Sequence, residues 1–308
     1  MSSRALKSIL TFTHVFDEAQ DTCFFAFCHP YTYSDLQAYL FLAEGKMQQN
    51  AAAAALSPRP MVYSKVPATK ESSYASIATG DSKLIFYYRT KLCDTLAGNR
   101  CDLLVISSLD NIKLRENDPS VGMSVSDATS STIPTPPLSQ SSSSSTQRSA
   151  APPGPSRFVK KSANNYYPVP GLTTPKSVPH IVISARVHPG ETTASWSMQG
   201  FLDFILSSHY KAQELREKFV FLIVPMLNPD GVINGNNRTS LSGHDLNRNW
   251  RCPDPSRHPT IFHLKETTQN LVDRTPHDVL MYIDLHGHSR QKGAFTYGCL
   301  PDKNDIQV

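Results

Sequence analysis

Apolar residues along this chain fall into short runs divided by long polar stretches, and the runs differ in period. Near the start, "SILTFTHVF" and "TCFFAFCHPY" read as two strands joined by the polar turn "DEAQD". "TYSDLQAYLFLAEGK" reads as a helix, with Ser34 as its cap and Leu36, Tyr39, Leu40 and Leu42 on its apolar side. "KLIFYYRTKL" (83–92) and "CDLLVISSL" (101–109) read as strands flanking the loop "CDTLAGNR". Further on, "VPHIVISARV" (178–187), "KFVFLIVPML" and "VLMYIDL" are near-continuous apolar, β-branched runs. Such runs suit strands buried on both faces.

Helical periods alternate with these runs. In "TTASWSMQGFLDFILSSHY", Trp196, Gly200, Phe201, Phe204, Ile205 and Ser208 recur on one side, with Thr192 or Thr193 as the cap. "PTIFHLKETTQNLVDR" opens on Pro259 and presents Ile261, Leu264, Leu271 and Val272. Strands alternating with helices predict an α/β layer fold around a mixed, mostly parallel sheet.

Composition then sets two stretches apart. Residues 47–82 are polar and irregular and read as an insertion or long loop. Residues 115–158, with "TSSTIPTPPLSQSSSSSTQRSAAPPGPS", have almost nothing apolar to bury and read as a disordered insertion. The chain has 308 residues, 39% of them hydrophobic, enough for a sizeable core. No apolar run reaches the ~18 residues of a membrane span. The start alternates Thr and His with its apolar residues and has no small-residue cleavage site, so it reads as a strand rather than a signal peptide. Six scattered cysteines without a C-x-x-C pair suit free thiols rather than a disulfide scaffold. The net charge of +4 permits an acidic partner without demonstrating one.

Candidate chemistry gathers after the strands, where ligands collect in open α/β sheets. In "ISARVHPGETTASW", His188 and Glu191 flank Pro189 and Gly190, whose tight reversal lets both side chains converge. "DLHGHS" (284–289) offers His286 from a second strand end. Two His and one Glu leave a fourth position for water, the pattern of a catalytic zinc site. Taken alone, H-P-G-E has a plainer reading, a Glu stabilised at a helix start by the dipole. The second motif favours the metal reading. His288 competes with His286, and the residue nearer the rigid strand is preferred. In "NPDGVINGNNRTSLSGHDLNRNW" (228–250), Asn228 and Asp230 are expected to bond their own turn. Arg238, Asn247 and Arg248 are expected to bind a carboxylate and to stabilise an oxyanion. Each taken singly could equally be a solvated loop residue.

"ARVHPGET", "VPMLNPDGV", "GNNRTSLSGHDLNRNW" and "DLHGHS…YG" resemble the zinc metallocarboxypeptidases (M14), specifically the cytosolic carboxypeptidase branch. "DTCFFAFCHPYTYSDLQAYL" and "LCDTLAGNRCDLL" resemble that branch too, so the likeness runs from about residue 10 to about 300. The resemblance implies a domain plan in which residues 1–30 end a β-sandwich and residues 31–308 form a partial carboxypeptidase domain, incomplete at its C-terminal end. It implies one zinc ion on His188, Glu191 and His286, the set known from carboxypeptidase A. It gives Arg238 the role of polarising the scissile carbonyl, and Asn247 and Arg248 that of gripping the terminal carboxylate. The implied activity is removal of C-terminal residues, with glutamates on acidic tails such as polyglutamylated tubulin as substrates. The implied location is cytoplasmic and microtubule-associated, with no nucleic acid or membrane partner. The family's general base is a late Glu, and "GHSRQKGAFTYGCLPDKNDIQV" after His286 contains none. That departure suggests a truncated form with weak zinc binding and little activity. The alternatives are a zinc amidohydrolase of small N-acyl amino acids and a non-catalytic fragment that binds acidic tails.

Overall fold

The computed structural model describes residues 11–16, 18–20, 22–23, 25–26, 28–55, 73–77, 84–114, 168, 172–174, 178–274 and 278–298. They divide into two compact units, 1–30 and 31–308. In the first unit, the two expected strands do not form among the described residues. The rings of Phe12, His14, Phe16 and Phe25 pack on one another instead.

The second unit is built on a six-stranded sheet. In chain order its strands are β1 (Ser73–Ile77), β2 (Ile85–Asp94), β3 (Arg100–Ser108), β6 (His180–Ala185), β7 (Val220–Val224) and β8 (Val279–Leu285). A separate two-stranded ribbon joins β4 (Lys113–Leu114) to β5 (Leu172–Thr173). The spatial order of the main sheet is β1-β2-β3-β7-β6-β8. The sheet is mixed, as expected, but not mostly parallel, since only two of its five ladders among the described residues are parallel. Its parallel half is β7-β6-β8, which carries the candidate chemistry, and the other three ladders are antiparallel.

Among the described residues five α-helices accompany it: α1 (Tyr33–Ala55), α2 (Thr192–Ile205), α3 (Tyr210–Lys218), α4 (Pro229–Ile233) and α5 (Pro259–Arg274). Strand side chains alternate between the two faces, and the core divides accordingly. Ile85, Tyr87, Leu104, Ile106, Phe221 and Ile223 meet Leu36, Leu40 and Met47 of α1 and Met198, Leu202 and Ile205 of α2. Phe86, Tyr88, Leu103, Val105, Leu222 and Val224 meet Ile261, Leu264 and Leu271 of α5. Both faces of the central strands are covered, which is why they read as unbroken apolar runs.

Several details differ from the sequence reading. Helix α1 is capped by Thr32 rather than Ser34. The Asp35 carboxylate accepts from the Thr32 N–H (2.7 Å), and the Asp35 N–H donates to the Thr32 hydroxyl (3.1 Å). Leu42 on α1 is exposed. Part of the stretch 47–82 is regular, since α1 runs on to Ala55 and 73–77 form β1. The low-complexity stretch 115–158 lies outside the described residues. The buried face of α2 is Ala194, Ser195, Met198, Leu202 and Ile205, not the side led by Trp196 and Phe204. Small residues at 194 and 195 suit a helix laid close to the sheet, while Trp196 packs edge-on against Tyr31 at 4.9 Å. Strand β8 is not a buried strand. It forms the edge of the described sheet, with Leu280, Met281 and Tyr282 exposed. No disulfide joins the five described cysteines. No helix among the described residues is long and apolar enough to cross a membrane.

Candidate metal centre

The centre is assembled where β6 and β8 end side by side. Ser184 of β6 pairs with Asp284 of β8, and Ala185 with Leu285, so the two exits lie level. Beyond β6, Arg186 takes a left-handed backbone conformation (φ 59°) that non-glycine residues rarely adopt. Its buried guanidinium holds the turn that follows, donating to the carbonyls of Pro189 (2.7 Å) and Tyr31 (3.0 Å) and to the Ser195 hydroxyl (2.8 Å). Asn228 donates to the carbonyl of Val187, directly before His188. Gly190 is required for close approach rather than for a positive φ. Its N–H donates to the Asn237 carbonyl at 2.7 Å, and an added Cβ would stand 2.4 Å from Asn237 Oδ1.

Glu191 occupies the cap position of α2 but makes no side-chain cap bond, so the expected Thr192 or Thr193 cap is not what forms. Its carboxylate is turned between the two histidines. Oε1 meets His188 Nδ1 at 2.9 Å and Oε2 meets His286 Nδ1 at 3.0 Å. Oε2 also accepts the Gly287 N–H at 2.7 Å. One ligand atom from each of His188, Glu191 and His286 lies within 4.8 Å of the others, and among the described residues no other His, Cys, Asp or Glu trio does this. Tetrahedral bonds of roughly 2.0–2.1 Å put ligand atoms about 3.4 Å apart, so this donor set fits zinc in both size and chemistry.

The opposite nitrogen of each ring faces another carboxylate. His188 Nε2 lies 3.2 Å from Asp245 Oδ1, and His286 Nε2 lies 2.8 Å from Asp284 Oδ2. Burial alone would raise the Glu191 carboxyl. The bonds from His188, His286 and the Gly287 N–H together outweigh it and hold the group far below the usual carboxylate range. Burial likewise opposes ionisation of Asp245, and bonds from Arg238 and His188 prevail and lower it. The Asp284 and Glu191 bonds lift His286 from 6.5 to about 10 against a burial effect of the opposite sign. Protonated His286 therefore stabilises the metal-free fold below pH 6.5, a contribution lost as pH rises through about 10. A metal must displace that proton. Zinc affinity is expected to climb about tenfold per pH unit above pH 7, the slope for one released proton. Titration calorimetry in buffers of different ionisation enthalpy checks the proton count.

The remaining sequence candidates fall around this trio. Arg238 Nε donates to Asp245 Oδ2 at 2.7 Å, and the Asn247 N–H donates to Asp245 Oδ1 at 2.9 Å. Both are thus joined to the centre through Asp245. The Asn247 side-chain oxygen accepts from Trp250 Nε1, which leaves its amide donors to offer outward. Arg248 shares this turn, is exposed, and bonds the Asn247 carbonyl. His288 accepts from the N–H groups of Arg290 and Gln291, a local turn role that leaves the third ligand position to His286. Asn228 bonds its own turn as expected, accepting the Gly231 N–H, but the Asp230 carboxylate reaches across to another segment. It holds the hairpin between β2 and β3, accepting from Thr95, the Ala97 N–H and Asn99. Sequence reading passed over Asp245, Asp284, Ser184 and Arg186. Two of them had a signal, because histidine ligands commonly carry a carboxylate on their other nitrogen, and acids stand two residues before Asn247 and before His286.

Residues 156–299 match the family model for zinc carboxypeptidase. Human cytosolic carboxypeptidase 1 is 36% identical over 94% of this chain, which spans 16% of that protein's length. Cytosolic carboxypeptidase 2 of Xenopus tropicalis is 36% identical over 97% of the chain, which spans 21% of its length. A solved metallo-carboxypeptidase from Burkholderia cenocepacia aligns at 18% identity, covering 84% of this chain and 42% of that one, with a TM-score of 0.44. The family match thus lies on the part of the chain, residues 156–299, that carries His188, Glu191 and His286. The curated relatives it matches carry the name cytosolic carboxypeptidase.

Proposed function

We propose that this chain holds one zinc ion on His188, Glu191 and His286 and serves a carboxypeptidase that removes C-terminal residues. The observation that supports this most is the convergence of those three ligand atoms beside a turn carrying Arg238, Asn247 and Arg248. Bound zinc supplies a Lewis acid and a water whose pKa is lowered toward ~7. The chain supplies the positioning. Arg248, with the Asn247 amide, grips the substrate's terminal carboxylate in fork geometry. Arg238 directs its guanidinium at the scissile carbonyl, and Asp245 fixes where that side chain can reach. An internal peptide bond offers no carboxylate to grip, so the site is selective for chain ends.

Within that reading, the substrates are glutamates of acidic protein tails, such as those of polyglutamylated tubulin, and the chain works in the cytoplasm near microtubules. The arginines and the net charge of +4 support an acidic partner. The test is a single-turnover incubation of zinc-loaded chain, in excess, with a labelled peptide ending in several glutamates. Mass spectrometry should show loss of single C-terminal glutamates, and no loss from the same peptide with an amidated end. Equal cleavage of the amidated peptide, or cleavage only of N-acyl amino acids, would overturn the reading.

A further inference from the structure

We propose that Tyr282, Ser184 and Asp284 form a positioning chain that fixes the tautomer and aim of His286, a reading that rests on the metal centre proposed above. The backbone places them together. Residues 282, 284 and 286 alternate along one extended segment and share a face, and Ser184 is paired with Asp284 on the neighbouring strand. Ser184 is fully buried. Its oxygen lies 2.6 Å from Asp284 Oδ1 and 2.7 Å from the Tyr282 hydroxyl. Asp284 Oδ2 lies 2.8 Å from His286 Nε2.

Counting protons gives this chain a direction. An ionised carboxylate only accepts, and a serine hydroxyl has a single hydrogen to donate. Ser184 must spend that hydrogen on Asp284, so the Tyr282 O–H must donate to Ser184. The other Asp284 oxygen then accepts from His286 Nε2–H. With its proton held on Nε2, neutral His286 presents the lone pair of Nδ1, the atom that faces Glu191 and the candidate metal position. The same logic holds His188 through Asp245. There the outer carboxylate is fixed by a cation, Arg238, and by the Asn247 N–H. Around His286 the supports are neutral hydroxyls on two adjacent strands. The level register of β6 and β8 thus does a chemical job, because sliding β8 by one residue would take Asp284 away from Ser184.

The test uses the full chain with zinc alone. Zinc affinity is measured by competition with a chelator for the native protein and for Asp284→Asn, Ser184→Ala and Tyr282→Phe. Asp284→Asn is expected to lose about 10–100-fold in affinity, the usual effect of removing a carboxylate behind a ligand histidine. Ser184→Ala should fall in between, and Tyr282→Phe should lose least. Thermal midpoints without metal check that each variant is folded. Independently of any substitution, ¹H–¹⁵N correlation of the histidine rings in the zinc-loaded native chain should show the His286 proton on Nε2. A proton on Nδ1, or native affinity in Asp284→Asn, would overturn the positioning role. A native chain that binds no zinc would instead defeat the metal-centre reading on which the role rests.

Discussion

Glu191→Gln is expected to lower zinc affinity by more than the ~100-fold that loss of an outer partner can cost. The amide keeps the volume of the carboxyl and can still accept one hydrogen bond, so the fold should survive. What is lost is the negative charge that faces both histidine rings and the Gly287 N–H at once. Two imidazoles alone make a poor site for a divalent ion. Thermal melts with and without zinc report the effect. A native chain at a free zinc concentration 100 times its Kd gains about 2.7 kcal/mol. Glu191→Gln at that same zinc concentration should gain almost nothing. Equal zinc stabilisation of the two proteins would mean that the metal sits elsewhere.

The largest expected effect on folding comes from Gly231→Ala. Gly231 lies in α4, buried beneath the turn that carries His188. A Cβ there would stand 2.3 Å from Pro189 Cγ and 2.8 Å from both Asn228 Oδ1 and the Thr239 carbonyl. None of these is the loose end of a long side chain, so backbone has to move. The cost should reach or pass the upper end of the ~1–3 kcal/mol typical of overpacking. At ~2–4 °C per kcal/mol, that lowers the melting midpoint by roughly 6–12 °C. Because Pro189 follows His188 directly, zinc affinity should fall as well. Gly235→Ala is the matched control. Gly235 has a positive φ of 69° but open space around it, so it pays only backbone strain of about 1–2 kcal/mol and should leave zinc affinity unchanged. Similar results for the two variants would show that the α4 turn does not brace the centre.

Much of the parallel half of the sheet was legible because strands buried on both faces are continuously apolar, as in "IVISA" and "VFLIV". The same signal misled at "VLMYIDL". Its composition is that of a buried strand, yet Leu280, Met281 and Tyr282 are exposed at the edge of the described sheet. Composition records that a segment is apolar, not what covers it. On α2 the large aromatics are a misleading signal, because Trp196 and Phe204 lie on the exposed side. Ala194 and Ser195, small enough to let a helix approach a sheet, mark the buried side. At the centre, His188 and Glu191 could be paired from one short turn and His286 from a second strand end. The supporting acids could not be assigned so easily. Asp245 and Asp284 act through distances between loops and registers between strands, and Arg186 through a backbone angle that no composition announces.

X-ray absorption on the zinc-loaded chain should show a first shell of nitrogen and oxygen only, at roughly 2.0–2.2 Å, with the outer-shell scattering of two imidazoles. A sulfur contribution near ~2.3 Å, or the signature of a single imidazole, would contradict a centre made by His188, Glu191 and His286.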